Sequence, residues 1–582
     1  MREAVILGKM VRVFTNRLAV GAMCFLKTLT LWAQSGVVFG RVVEAGTLKP
    51  VPFANVVVQG TTKGVSTDME GRFELKGLAP GFTNLVVSCL GYKTTTYRDI
   101  LVTNAKPATV EIILEPTARE IQAVTVESAP FNKTEESPVS LRTVGIAEIE
   151  RNPGGNRDIS QVIKSLPGVA SIPTFRNDII IRGGAPNENR FYLDGVEVPL
   201  INHFQTQGAS GGPVGIINVN LIREVNFLSG AFPAARGNAL SSVLEFTQVD
   251  GNSERKKYRF ALGSSDAAFK TEGPLGRKAT GIFSFRASYL QFLFRALQLP
   301  FLPTYFDWQY RVRWRIGTKD ELLFIGLASL DRFRLNLDQN ETEEQRYILR
   351  VIPVNYQWSY TVGSVYRRFT KQGRHEVVLS RNMFHNRAFK HQDNVPQKDL
   401  LLLDYLSRES ENKLRYEYIA RYGDWKVNLG FNAEHARYTN YTYQRLKTLA
   451  GLDTVRVNSL LHIGIGGLFG QVSRSFFNSR LAASFGIRSD FNTYSEIMLN
   501  PLRTLSPRLS LSLRIGERWA LNANAGRYYQ RPAYTLMGFA DSSGRLINKK
   551  RLRYIRCDHL VGGVEFNPGP NSKITLEGFW KV

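Results

Sequence analysis

The sequence predicts a mainly β protein: a small N-terminal β-sandwich, a glycine-rich middle region, and a long set of antiparallel strands of the kind that closes into a transmembrane β-barrel. Three observations carry this expectation. Residues 36–116 are short β-rich runs broken at near-regular spacing by Gly, Pro and Asp. Beyond residue 251 the runs lengthen, and large apolar residues alternate with arginines and other polar residues. The charge is also uneven. Residues 1–250 hold 24 Lys/Arg against 22 Asp/Glu, and residues 251–582 hold 51 against 28, so a net +23 of the overall +25 belongs to the C-terminal part.

A chain of 582 residues is too long for one soluble domain. With 11% aromatic and 21% charged residues it is neither disordered nor a helical membrane protein. At the N-terminus, Arg12 and Arg17 precede an apolar stretch that ends in Ala33-Gln34-Ser35. This is the layout of a secretory signal peptide over residues 1–35, although Lys27 interrupts its apolar core. Cys24 falls in that segment. Cys89 and Cys557 are far apart with no CxxC, which reads as isolated buried thiols and signals neither a zinc site nor a disulfide framework.

Residues 36–117 come next. The runs VVFGRVVE, FANVVVQG, GRFELKGL, NLVVSCLGY and TVEIILEP predict a small antiparallel sandwich. Asp68 and Gly71 mark a hairpin that sends Phe73 and Leu75 to one face, and Asp68 and Glu70 read as turn formers rather than calcium ligands. The stretch from Gly40 to Lys93 resembles the carboxypeptidase regulatory-like domain that precedes many outer-membrane receptors of Bacteroidetes-type bacteria. The resemblance does not bring catalysis with it. None of the histidines (203, 375, 385, 391, 435, 462 and 559) has a Glu three residues on, and HExxH, P-loop and GxSxG motifs are missing. No enzymatic activity, cofactor or protein-held metal is expected.

Residues 118–130 form a linker containing REIQAVTVESAP. Ile121, Ala123 and Thr125 alternate with Val124 and Val126 in a short extended segment with no sequence partner. Such a segment suits strand addition to another protein's sheet edge. It resembles the TonB box, which implies that Ile121, Ala123, Val124, Thr125 and Val126 contact a TonB-like periplasmic protein. A last sandwich strand or a plain linker are the alternatives.

Residues 131–250 contain, in order, Leu166-Pro167-Gly168-Val169, Ile181-Arg182-Gly183-Gly184, Leu193-Asp194-Gly195-Val196 and Arg236-Gly237-Asn238-Ala239. Arg182 and its glycines could cradle a phosphate, but no helix begins after Gly184. The whole region is similar to the plug domain of TonB-dependent receptors. This implies an α+β plug inside a barrel, with Arg182, Gly183, Gly184, Asp194, Gly195, Arg236 and Gly237 as its motif residues.

Residues 251–582 supply the barrel strands. In YFDWQYRVRWRIGTKD, Phe306, Trp308, Tyr310, Val312, Trp314 and Ile316 share one face, and Asp307, Gln309, Arg311, Arg313 and Arg315 share the other. PRLSLSLRIGERW repeats the scheme, while RYYQRPAY and RYTNYTY fit interfacial aromatic girdles. Lipid outside and a polar lumen inside explain the pattern, and closure is required because edge amides cannot stay unpaired in hydrocarbon. Arg311, Arg313 and Arg315 are the lumen-facing candidates for contact with an anionic ligand. Rim charges that bind lipopolysaccharide phosphates are the alternative use of the basic excess. The alternating segments suggest roughly 12–16 strands, fewer than the about 22 of plugged transporters. The barrel is therefore expected to be incomplete, truncated at the C-terminus with an unpaired edge near residues 573–582.

These readings converge on a TonB-dependent receptor in the cell outer membrane that binds a small extracellular ligand and imports it by energy-coupled movement of the plug. Its expected partners are a TonB-like periplasmic protein, outer-membrane lipid and lipopolysaccharide. A non-transporting receptor, adhesin or signal transducer is the alternative. Nucleic acid is not expected, since the positive charge interleaves with apolar faces instead of coating a soluble domain.

Overall fold

The chain from residue 36 onward folds into three successive β-rich units. The structure is a computed structural model, and it describes residues 36–582 apart from 46–47, 93, 105–106, 116–133, 153–157, 171–175, 209–210, 449–450, 542 and 570–571. The TonB-box-like segment Ile121–Val126 lies outside the described residues.

In the first unit, strand Gly36–Glu44 lies between Arg72–Leu78 and Ala108–Leu114, and a second sheet orders Gly64–Ser66, Asn55–Val58, Gly81–Ser88 and Thr95–Val102. Val42, Val56, Leu85, Ile112 and Leu114 fill the space between the sheets, each essentially inaccessible. The sandwich is not wholly antiparallel as expected, because Gly36–Glu44 and Ala108–Leu114 run parallel. The last strand arrives from the opposite sheet, and a crossover of that kind delivers a strand in the parallel sense where a hairpin cannot. Asp68 does form a turn. Its Oδ1 accepts from the backbone N–H of Glu70 at 3.0 Å and of Arg72 at 2.6 Å.

The second unit has a five-stranded sheet ordered Val196–Glu197, Asn189–Leu193, Ser242–Gln248, Ile222–Leu228 and Leu141–Gly145, with short helices at Ile146–Arg151 and Ile159–Lys164. Its core is completed by the barrel wall. Ile181, Leu193, Val225 and Leu244 pack in one cluster with Leu323, Ile325, Leu327, Val365 and Val378. The near-continuous apolar run Leu322–Leu330 follows from this, since that strand is covered by lipid on one face and by the plug on the other.

The third unit is a fifteen-stranded meander in which each strand pairs antiparallel with its sequence neighbour, from Lys257–Leu262 to Ser572–Lys581. Among the described residues these two terminal strands are each paired on one side. Links at one end are short (316–319, 370–372, 423–424, 477–480), and most at the other are long (289–300, 336–353, 493–505, 531–554). Short turns mark the periplasmic end of such a wall and long loops its outer end. The sandwich touches the short-link end, where Glu111 meets Arg313 at 3.1 Å. Among the described residues no helix is long and apolar enough to cross a membrane, and the crossing elements are strands.

The alternation read from the sequence is present. Asp307, Gln309 and Arg311 are buried toward the lumen, and Trp314 is exposed on the outer wall. Leu509 and Leu513 face out, with Arg508, Ser510 and Ser512 buried. The girdle reading of RYYQRPAY needs correction. Tyr528 is fully buried, edge-on to Phe232 of the plug at 5.0 Å, and Tyr534 is also buried. Arg508 lies over the Tyr528 ring and Arg531 over the Tyr534 ring, an inward role that an aromatic count alone does not reveal.

Candidate functional site

Three glycine turns of the plug, at Gly184, Gly195 and Gly237, are sockets for charged side chains of the wall. Strand Ile180–Ile181 pairs with Val169–Ala170, and the backbone then turns through positive φ at Arg182 (49°) and Gly183 (75°). Arg182 Nη2 donates to Glu577 at 2.6 Å and to Ser140 Oγ at 3.2 Å, and the guanidinium lies over the Phe579 ring. Next to it, a Cβ added to Gly184 would sit 1.7 Å from Ser241 Oγ of the plug and 2.5 Å from Lys581 Nζ of the wall, so a side chain there would have to displace both.

Leu193-Asp194-Gly195-Val196 is a hairpin with φ of 47° at Asp194 and 91° at Gly195, the geometry that suits Asp-Gly. The Asp194 carboxylate accepts from the Gln248 backbone N–H at 3.0 Å, from Gln248 Nε2 at 2.8 Å and from Arg311 Nε at 3.0 Å. The Gly195 carbonyl accepts from Arg415 at 2.7 Å. At the third motif, Arg236 donates to Glu245 at 2.7 Å and to Glu417 of the wall at 3.2 Å. Arg508 donates to the carbonyls of Phe232 and Arg236, and Arg488 donates to that of Ala234. Gly237 leaves room for Arg488, whose Nε would lie 2.3 Å from an added Cβ.

The three lumen arginines face inward, and each has carboxylate partners. Arg311 pairs with Asp194 and with Asp250 (2.5 Å), Arg313 with Glu111, Asp250 and Glu321 (2.6 Å), and Arg315 with Glu111. Burial pushes the Asp250 carboxyl up, but Arg311 and Arg313 outweigh it and hold it well below the usual carboxylate range. The structure therefore brings these arginines to the plug and the sandwich. Further round the wall the same alternation continues, with Arg367 between Glu321 (3.1 Å) and Glu376 (2.8 Å), and Lys413 between Glu197 of the plug (2.9 Å) and Glu411 (2.8 Å).

One buried group escaped the sequence reading. His203 sits near the outer end of the plug, fully buried, with Nδ1 2.6 Å from Asp331 and Nε2 3.2 Å from Asp307. Its ring stacks on Tyr305 at 4.2 Å, and Arg286 holds the far side of Asp307 at 2.9 Å. Burial alone would lower the imidazole pKa, but Asp331 and Asp307 outweigh it, and the net shift is upward. His203 is therefore a plug-to-wall contact rather than a membrane-interface side chain. His375, by contrast, stacks on Tyr418 of the neighbouring wall strand at 4.7 Å. A signal was present in the isolated His203-Phe204 between two glycine-rich turns, but its partners lie more than a hundred residues away.

A lumen filled by the chain's own middle domain, through polar sockets on one side and a shared apolar core on the other, defines a plugged outer-membrane β-barrel. Residues 38–126 match the CarboxypepD_reg-like domain, 133–243 the TonB-dependent Receptor Plug Domain, and 282–581 the TonB dependent receptor-like beta-barrel. The chain belongs to the TonB-dependent receptor family, and it is an outer-membrane protein. It is 25% identical over 255 residues to a TonB-dependent receptor of Formosa agariphila, a match covering 39% of this chain and 24% of that protein. The chain thus spans about a quarter of the length of the curated relative it matches. The fold is shared with the ferric enterobactin receptor of Pseudomonas aeruginosa (16% identity, 77% of this chain and 72% of that chain, TM-score 0.57). It is shared also with a siderophore receptor of Acinetobacter baumannii (14%, 78% and 72%, TM-score 0.56).

Proposed function

We propose that this chain binds a small extracellular ligand at the outer mouth of the plugged lumen and imports it when a TonB-like periplasmic protein draws on the segment Glu120–Ser128. The observation that carries the reading is the set of plug sockets. Glycine turns at Gly184, Gly195 and Gly237 receive wall side chains through ion pairs and hydrogen bonds, which water can replace when the plug shifts. The chemistry is binding and gated release with no covalent step. In this reading Arg311, Arg313 and Arg315 are plug and sandwich anchors at rest, and an anionic ligand meets them only after Asp194, Asp250 and Glu111 have moved away.

A disulfide lock tests the proposal. Asn218 Nδ2 lies 2.6 Å from Ser284 Oγ across the plug–wall boundary, and both residues are buried. Ferric enterobactin and a panel of other ferric siderophores serve as trial ligands, chosen because two fold neighbours are named for such ligands. An Asn218→Cys/Ser284→Cys chain should take up its ligand when reduced and stop when oxidised. A non-transporting receptor or adhesin would bind equally in both states and show no reductant-dependent uptake.

A further inference from the structure

The outward surface of the wall carries a cluster of arginines that the lumen network does not use. Register places them together. Arg332 lies opposite Tyr356, Tyr356 opposite Arg387, His385 opposite Arg408, Ser410 opposite Arg437, and Arg437 opposite His462. Arg387, Arg408 and Arg437 thus step across three neighbouring strands, one rung apart, with Arg381 just below them. All five arginines are exposed, and none of them makes an ion pair among the described residues. Their partners are neutral: Arg381 donates to Tyr360 Oη at 3.0 Å and Asn412 Oδ1 at 2.7 Å, and Arg408 to His385 Nδ1 at 3.3 Å. On the rungs from Arg332–Tyr356 to Val362–Arg381, continued across to Asn458 and Gly464, no outward position is Asp or Glu.

Directly toward the short-link end, the surface becomes apolar and concave. A groove of about 990 Å³ is lined on its apolar side by Leu379, Leu414, Phe431 and Leu468, floored by Gly464 and Gly466, and lipped by Arg381 and His435. On strand Trp425–Thr448 the outward order is Leu429, Phe431, Ala433, His435, Arg437, which sets the cationic band just beyond the apolar one, toward the long-loop end. Unpaired arginines on a lipid-facing wall are unfavourable in hydrocarbon and are tolerated at headgroup depth, above all beside anionic headgroups. Arginine also matches phosphate bidentately. We infer that this groove and its arginine cluster bind a phosphorylated, multiply acylated glycolipid of the outer leaflet, with acyl chains in the groove and phosphates on Arg387, Arg408 and Arg437. The inference rests on the outer-membrane placement of the chain and not on the transport reading.

The full chain in detergent micelles, titrated with hexa-acylated, bisphosphorylated lipid A and followed by native mass spectrometry, tests this. Arg387→Gln/Arg408→Gln/Arg437→Gln should weaken binding about tenfold or more, and dephosphorylated lipid A should bind the parent chain as weakly. That second comparison needs no variant to fold. Gly464→Leu fills the groove without a backbone clash, since an added Cβ meets nothing closer than 3.4 Å, and it too should weaken lipid A binding about tenfold or more. Equal binding by the triple variant, or equal binding of the dephosphorylated lipid, overturns the cationic site. Full competition by the deacylated phosphoglycan, or unchanged binding by Gly464→Leu, shows a soluble-anion site and overturns the lipid. A barrel that migrates as folded on an unheated gel yet binds no lipid A overturns the inference alone, because the disulfide-lock experiment reads transport separately.

Discussion

At the scale of single residues, His203 should make the attachment of the plug pH-dependent. The charged groups that face it are Asp331 on Nδ1 and Asp307 on Nε2, with Arg286 behind Asp307. Because its pKa is raised in the folded state, the stabilisation is fully present below the ordinary histidine value and is lost as pH climbs through the raised one. Hydrogen bonds to charged groups are worth about 1.5–3 kcal/mol each. Amide exchange over residues 202–207 is expected to accelerate with pH beyond intrinsic base catalysis, and His203→Asn should remove that excess; an unchanged profile in the variant would count against the assignment. Gly212 tests the same apex by packing alone. A Cβ there would sit 2.0 Å from the His203 carbonyl oxygen, which is backbone and cannot rotate away. Gly212→Ala should destabilise the plug by about 1–3 kcal/mol, measurable as faster proteolysis of the plug in the folded barrel.

At the scale of elements, the segment Glu120–Ser128 is expected to pair with the proposed TonB-like protein through main-chain bonds. Proline removes an N–H and alanine does not, so Val124→Pro or Val126→Pro should reduce partner binding by tenfold or more while Val124→Ala changes it little. Partner pull-down with inserted receptor measures the difference, and equal capture of both variants would leave the segment a linker. Elements that follow a strict local period were the legible ones. Phe301–Arg315 could be read because Trp308, Tyr310 and Trp314 alternate with Asp307, Gln309 and Arg311, and the period of two survives in the wall. The turns at Arg182-Gly183 and Asp194-Gly195 were legible because left-handed backbone favours Gly, and Asp before it. What each turn received was not, since Arg182 meets Glu577 and Asp194 meets Arg311 across long stretches of chain. Tyr528 misled for a related reason: an aromatic near a strand end looks the same whether it faces lipid or the plug's Phe232. The parallel pairing of Ala108–Leu114 is likewise a crossover property that no local period encodes.

At the scale of the whole molecule, the N-terminal sandwich bridges plug and wall at the short-link end. Tyr97 lies under the Arg223 guanidinium of the plug and Phe82 under that of Arg151, while Glu111 pairs with Arg313 and Arg315 of the wall. Lys257 Nζ donates to the Pro107 carbonyl at 2.9 Å, and Asn252 Nδ2 lies 3.3 Å from Thr109 Oγ1. The sandwich strand that carries Glu111 ends at Leu114, and the segment on which the proposed periplasmic protein draws follows at Glu120. Any force on that segment therefore loads the Glu111 contacts as well as the plug. Glu111 is largely buried, at 12% exposure, and breaking a buried pair costs about 3–5 kcal/mol. The figure should be smaller here, because Arg315 is 30% exposed and Arg313 keeps Asp250 and Glu321. Glu111→Lys is thus expected to release the sandwich from the wall while the barrel stays folded. A Thr109→Cys/Asn252→Cys pair reports the docked state by forming a disulfide under mild oxidation. Cross-linking should be near complete with Glu111 in place and fall several-fold in the Glu111→Lys background. Undiminished cross-linking there would show that Lys257, Tyr97 and Phe82 hold the sandwich without the ion pairs.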